Sequence, residues 1–412
     1  ERISFLKNAL YTRDASFFSM TINYRRSKGE AKRVIENNPY TQAATNKKSV
    51  GTLRFILAIS VVISHSGAIF GFGFVGGQLA VQAFYIISGF YMTMILKEKY
   101  IGTNGSYKLF ITNRFLRLYP IYWVVLAMAV VMAASGYYLA DKSYIWQRYV
   151  EYFDTMEIGT FLYLVFTNLV IFFQDAALFL GLDTTTGSLF FAKDFMQTDP
   201  QVYTFLFIPQ AWTIGLELMF YLIAPFIVRR KMRYIFLLIA CSLALRFVLM
   251  FGYELNYDPW THRFFPTELV FFLLGAIAFH AYKKISTMDI NAFYLKAIWL
   301  VMLLFTVIFS FLPFEYYHKY FVYLSLFFIS VPFVFALSKR WKFDREIGEL
   351  SYPIYISHML LLTIIKALNL PQIEGMGGLY LVIATVIFSI LLNELVAKKV
   401  EKIRQNRVKK AA

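Results

Sequence analysis

Apolar and polar positions along this chain segregate on the scale of whole helices. Runs of about twenty predominantly apolar residues, long enough to cross a hydrocarbon core, are separated by short polar segments. They fall at about 51–70, 78–96, 119–139, 207–228, 234–251, 264–282, 295–312, 320–337, 352–369 and 379–397. The pattern predicts an all-α, polytopic integral membrane protein with about ten transmembrane helices. The apolar segment Phe161–Phe173 is shorter, at 13 residues. That length suits an interfacial or re-entrant piece, and it is assigned to a large outer loop at about 140–205. Residues 105–118 read as an amphipathic helix on the inner membrane surface.

Basic residues cluster in alternate connectors. They occur before the first run (Arg25, Arg26, Lys28, Lys32, Arg33, Lys47, Lys48), between the second and third (Lys97, Lys99, Lys108, Arg114, Arg117), after the fourth (Arg229, Arg230, Lys231, Arg233) and beyond the tenth (Lys398, Lys399, Lys402, Arg404). Residues 140–205 instead carry acids, among them Asp141, Glu151, Asp175 and Asp199. With ten alternating spans all the basic clusters share one side, which the positive-inside rule makes cytoplasmic. Both termini are therefore expected in the cytoplasm. Residues 1–50 form a basic cytoplasmic extension, 51–398 the membrane domain and 399–412 a basic tail. A multi-pass protein of the bacterial inner membrane is the expected location.

Composition agrees. Of 412 residues 58% are hydrophobic and 16% charged, against about 25% charged in a soluble chain. The net charge of +16 is explained by topology, so no nucleic-acid partner is expected; membrane lipid is. The single cysteine, Cys241, excludes an intramolecular disulfide and reads as a small buried apolar residue. No metal-ligand pattern such as H-E-x-x-H occurs.

The candidate chemistry lies in the ionisable residues within spans, which are costly and usually face an interior or a water-filled cavity. Arg54 and His65 share one face of the first helix, almost three turns or about 16 Å apart. Span orientation places Arg54, Arg114, Arg117 and His358 in an inner polar zone. His65 and Glu217 fall in an outer zone, with Arg263 and Glu268 further out. Clustered guanidinium groups match phosphate oxygens bidentately, although an inner-surface arginine is commonly a lipid anchor. Histidine beside a carboxylate suits proton transfer. A ligand with phosphates at one end, a narrow arm and a reactive group at the other would fit, and acyl-coenzyme A has that shape. Trp212 and the tyrosines read as belt or packing residues. Ser88, next to a glycine, reads first as a helix-packing residue.

Five ordered segments resemble the acyltransferase-3 family of membrane O-acyltransferases. Arg54 and His65 match R-x10-H. FYIISGF (Phe84–Phe90) is similar to F-F-x-I-S-G-F, and RFLRLYP (Arg114–Pro120) to R-x-x-R-x-x-P. WTIGLELMFY (Trp212–Tyr221) resembles W-S-L-x-x-E-x-x-F-Y, and SYPIYISH (Ser351–His358) resembles S-Y-x-x-Y-x-x-H. Gln82 stands where many relatives carry an acid.

The resemblance implies transfer of an acyl group from cytoplasmic acyl-CoA to a hydroxyl of an extracytoplasmic glycan or lipid-linked sugar. Acetyl-CoA is the first expectation for the co-substrate and succinyl-CoA the alternative. His65 is the expected general base and Glu217 its orienting acid. Arg54, Arg114, Arg117, His358 and Tyr355 are expected at the donor, and Trp212, Arg263, Glu268 and Ser88 at the acceptor; no metal is expected. A homo-oligomer is compatible. A transporter of an acidic or sugar substrate through the same polar path is the competing class.

Overall fold

The computed structural model describes residues 50–100, 105–140, 144–339, 341–368 and 378–411. All but the last residue of the N-terminal extension lies outside the described residues. The described chain is helical apart from a two-stranded hairpin and short turns. In chain order the helices are α1 (Gly51–Ser66), α2 (Gly76–Glu98), α3 (Tyr107–Ala140), α4 (Tyr144–Tyr152), α5 (Ile158–Val170), α6 (Trp212–Ile227) and α7 (Met232–Phe247). There follow α8 (Phe265–Ile285), α9 (Ala292–Ile308), α10 (Tyr316–Ser338), α11 (Lys342–Glu349), α12 (Ser351–Ala367), α13 (Leu379–Leu392) and α14 (Lys398–Ala411).

Among the described residues nine helical stretches are long and apolar enough to cross a membrane, and α1 is a shorter apolar helix. Together they coincide with the ten runs read from the sequence. The protein is therefore a multi-pass membrane protein. With 16 residues, α1 spans about 24 Å, less than the roughly 30 Å hydrocarbon core.

Helices α2 and α8 form the centre of the bundle, while α7 and α9 are largely exposed and apolar. Two glycines let α2 and α8 meet backbone to backbone. A Cβ on Gly89 would overlap the carbonyl oxygen of Phe272, and one on Gly275 that of Ile86. Cys241 corrects the sequence reading: it is exposed on α7, where an apolar residue needs no burial if lipid is the solvent.

The first helix is capped from far along the chain. Asp344 of α11 accepts from the backbone N–H of Gly51 at 2.7 Å and of Thr52 at 2.8 Å, and from the Thr52 hydroxyl at 2.6 Å. Ser338 accepts from the N–H of Val50 at 3.1 Å. A carboxylate at a helix N-terminus satisfies orphan donors and opposes the helix dipole. This cap fixes the end of α1 that bears Arg54.

Residues 105–118 do not form a separate surface helix. Tyr107 begins a continuous 34-residue helix that passes through Pro120. Tyr352 donates to the Leu118 carbonyl at 2.8 Å, and α14 packs against the segment. Contacts with other helices hold it.

The segment after α3 contains α4, α5 and the hairpin Leu180–Leu182 with Leu189–Phe191. Asp183 closes the hairpin turn, accepting from the N–H of Thr185 at 2.8 Å and of Thr186 at 3.2 Å. The 13-residue α5 is too short to cross. Its terminal carbonyls, left orphaned at a helix C-terminus, are met by α3: Tyr119 donates to Val170, Tyr122 to Asn168, and Trp123 to Leu169 at 2.9 Å. The chain then turns at Ile171 and Phe173, both with positive φ. Helix α5 therefore re-enters the bundle as far as the middle of α3 and turns back.

Candidate active site

Helices α1 and α12 pack side by side, starting from one polar contact. Arg54 on α1 donates through Nη2 to Ser351 Oγ at the start of α12, 2.8 Å away, with its guanidinium 5.8 Å from the Tyr91 ring. Ser351 in turn donates to the Gly348 carbonyl at 2.8 Å.

Further along both helices stand the two histidines. The ring centroids of His65 and His358 lie 5.2 Å apart. This corrects the assignment of His358 to an inner zone with the arginines. Its helix begins at the level of Arg54 and has risen about two turns, or 10 Å, before His358 is reached. His65 is exposed and His358 fully buried. His358 Nδ1 is 2.6 Å from the Tyr355 carbonyl oxygen. A carbonyl can only accept, so Nδ1 carries the hydrogen and Nε2 of the neutral ring bears the lone pair. That buried Nε2 has no hydrogen-bond partner among the described residues.

The expected His65–Glu217 pair is not formed. Half-buried Glu217 accepts at Oε1 from Ser88 at 2.5 Å and from Tyr221. The carboxylate is one turn into α6 and faces α2, whereas His65 faces α12. Ser88, expected at the acceptor, is thus a partner of Glu217. Tyr355, expected at the donor, has its hydroxyl occupied: it accepts from Thr213 at 2.8 Å and donates to the Gln210 carbonyl at 3.0 Å. Gln210 Nε2 donates to the Ile356 carbonyl at 2.8 Å. These bonds fasten α12 to the start of α6 and hold the His358 ring 5.9 Å from that of Tyr355.

Trp212 and Arg263 do come together. The Arg263 guanidinium lies 4.4 Å from the Trp212 ring and binds Asp258 through two bonds of 2.6 and 2.8 Å. His262 completes the group, its ring 5.8 Å from Trp212. Burial, and then the Arg263 charge, pull the His262 pKa down to about 4, so the ring is neutral at physiological pH.

Glu268 does not belong to this group. It is fully buried, paired with Arg246 and bonded to Gln82 Nε2 at 3.2 and 3.3 Å, while Gln82 Oε1 accepts from Tyr320 at 2.6 Å. The network ties α2, α7, α8 and α10 together, and its geometry is that of a structural lock. Arg246 was overlooked in the sequence, although a charge inside the run 234–251 was signal enough.

Near the arginine end, Arg117 Nη2 is 3.8 Å from Glu349, and Arg114 is buried with its guanidinium 6.0 Å from Phe110. Asp175, just after α5, reads in the sequence only as one acid of the outer loop. It is 7% exposed, and its Oδ1 lacks a partner among the described residues and faces Gly215 of α6. Burial raises its pKa to about 7. Among the described residues no three metal-ligating side chains converge.

The family model described as an acyltransferase domain, acyltransferase-3, matches residues 48–394. The chain is also 29% identical over 214 residues to an uncharacterized protein of Aquifex aeolicus (strain VF5), a match covering 48% of this chain and 90% of that protein. No solved structure matches it. With nearly the whole membrane domain covered, the chain belongs to the acyltransferase-3 family and is a membrane acyltransferase.

Proposed function

From that membership we propose that the protein transfers an acyl group from acyl-CoA at the arginine-bearing end of the bundle to a hydroxyl of a glycan or lipid-linked sugar at the histidine end. The positive charge of the alternate connectors supports a cytoplasmic first end and an extracytoplasmic second end, and a bacterial inner membrane is part of the proposal. Acetyl-CoA is the donor of choice and succinyl-CoA the alternative. The exposed apolar faces of α7 and α9 meet lipid.

The observation that carries this reading is the His65–His358 pair, set at the far end of the helix that begins with Arg54. His65 is the exposed ring and takes the proton of the acceptor hydroxyl. The oxygen attacks the thioester carbonyl, the C–S bond breaks, and the departing thiolate recovers the proton as free CoA. His358, with Nδ1–H held by Tyr355, offers its Nε2 lone pair to the charge that develops on His65. Such general-base assistance is worth about 10²–10⁴ in rate. Arg263 and Trp212 form the rim over which the acceptor enters.

The test is turnover by the full chain in lipid nanodiscs. Labelled acetyl-CoA or succinyl-CoA is supplied with extracted surface glycan or lipid-linked sugar. Thiol release with label in the glycan is the expected result. Movement of sugar between compartments with no thiol released would replace the acyltransferase reading with a transporter.

A further inference from the structure

Gln210 lies two residues before α6 and has no part in the proton transfer described for the two histidines. Its side chain is 7% exposed, and its Nε2 donates to the Ile356 carbonyl at 2.8 Å. The neighbouring carbonyl of α12, that of Tyr355, receives Nδ1–H of His358 at 2.6 Å. The Gln210 carboxamide and the His358 imidazole are therefore anchored on consecutive carbonyls of one helix. The Gln210 carbonyl in turn accepts from the Tyr355 hydroxyl at 3.0 Å, so the two segments are joined in both directions.

The Ile356 carbonyl needs a donor, which fixes the nitrogen end of the carboxamide and leaves Oε1 as the other end. Gln210 Oε1 is buried and has no hydrogen-bond partner among the described residues. The same holds for His358 Nε2. Two lone-pair atoms out of water thus belong to side chains fastened next to each other, beside the exposed ring of His65. Buried acceptors without a donor are uncommon in native proteins, because the lost hydration is not made good.

Both atoms lack a donor. For His358 Nε2 the proton carried by His65 supplies one. For Gln210 Oε1 the protein supplies none among the described residues. Trp212, two residues on, belongs to the rim over which the acceptor enters. Asp258, a carboxylate at that rim, is engaged by Arg263 through bonds of 2.6 and 2.8 Å. An ammonium group arriving there would meet a guanidinium and an acid already paired, so a neutral hydroxyl is the donor that fits. On a sugar ring the hydroxyl to be acylated commonly has another on the next carbon.

We propose that Gln210 is a specificity-determining residue of the acceptor site, whose Oε1 accepts a hydrogen bond from a second hydroxyl adjacent to the one that His65 deprotonates. The enzyme thereby selects a vicinal diol over an isolated alcohol. The inference rests on the acyltransfer reading and adds to it the kind of hydroxyl that is acylated.

The experiment compares two small acceptors, trans-cyclohexane-1,2-diol and cyclohexanol, which differ in the neighbouring hydroxyl alone. The full chain in phosphatidylcholine nanodiscs receives labelled acetyl-CoA or succinyl-CoA, whichever serves surface glycan, and ester formation gives kcat/KM for each alcohol. Two equivalent hydroxyls give the diol a statistical advantage of about twofold. Wild type should prefer the diol by about tenfold beyond that factor, since a site built to bind a hydroxyl discriminates against the analogue lacking it. Gln210→Met keeps the length of the side chain and removes the oxygen. Its preference should fall to about twofold, with the KM for the acyl donor within a fewfold of wild type. The ratio is the decisive readout: a substitution that merely loosened α12, through the lost bond to Ile356, would slow both alcohols alike and keep it. A wild-type preference of about twofold would overturn the proposal without any variant and leave buried water as the donor to Oε1. Full preference retained by Gln210→Met would overturn it too. So would acylation of surface glycan but of neither alcohol, since recognition would then rest on groups other than a hydroxyl pair. No thiol release with surface glycan would instead remove the acyltransfer reading, and this inference with it.

Discussion

His358 lies ring to ring with His65 at 5.2 Å while its Nδ1 is held 2.6 Å from the carbonyl oxygen of Tyr355. The carbonyl sets the tautomer, so the nitrogen left to act is Nε2. A ring whose tautomer is fixed from behind, beside a second and exposed ring, fits the proton transfer proposed above.

If the two rings act as a unit, their effects will not add. His65→Ala and His358→Ala should each lower kcat by about 10² or more. The double variant should cost little more than the worse single one, as expected for residues serving one step. Rates from thiol release, with retained nucleotide binding as the folding control, decide the matter. Multiplicative losses would mean that the histidines serve separate steps.

Glu217 faces Ser88 and Tyr221 rather than His65. Both donors are hydroxyls, and a glutamine carbonyl oxygen accepts from hydroxyls as well as a carboxylate does, if less strongly. Glu217→Gln should therefore lower kcat by less than about tenfold, far less than a histidine substitution. A loss equal to that of His65→Ala would restore the carboxylate charge to the chemical step.

The buried Arg246–Glu268 pair allows a sharper stability test. Removing one partner strands a charge in the bundle, at a cost of about 3–5 kcal/mol. Arg246→Met and Glu268→Leu should each lower the Tm strongly, while their combination should recover much of the loss because no unpaired charge remains. Thermal denaturation followed by size-exclusion retention makes the comparison. A double variant less stable than either single one would show that the network with Gln82 and Tyr320 needs the ions themselves.

Close helix packing gives a control of a different kind. At Gly89 a methyl group has backbone on the α8 side, whereas at Gly159 it meets nothing within 4 Å. Gly89→Ala should cost at least about 1–3 kcal/mol, the usual range for overpacking, and Gly159→Ala should leave the Tm essentially unchanged. The same thermal assay reads both.

These contacts also mark what the sequence could and could not reveal. Span positions were legible because length and apolarity are local properties, and the short α5 was recognised as unable to cross for the same reason. Arg54 and His65 could be placed on one face from helical periodicity alone. The partner of His65 could not, because it depends on how α1 and α12 lie side by side, and depth counted from a span boundary put His358 too low. Asp344 caps α1 from 293 residues away, a relation with no local signal. The tail arginines were read as topology markers, since nothing in their spacing says that α14 folds back onto α3.

Asp175 supplies a pH test whose direction follows from its burial. Its carboxyl has an ordinary pKa of 3.8 and is raised to about 7 in the folded protein. Well below pH 3.8 both folded and unfolded chains hold the proton, and the group contributes no pH dependence. Between that value and about 7 the unfolded chain releases the proton while the folded one keeps it, so stability falls as pH rises. Above about 7 the loss is complete and constant. Asp175→Asn keeps the shape and removes the ionisation. The substitution should change the Tm little at pH 4 and raise it clearly at pH 8, by the equivalent of a few kcal/mol. An equal shift at both pH values would mean that ionisation of this carboxyl is not what the fold resists.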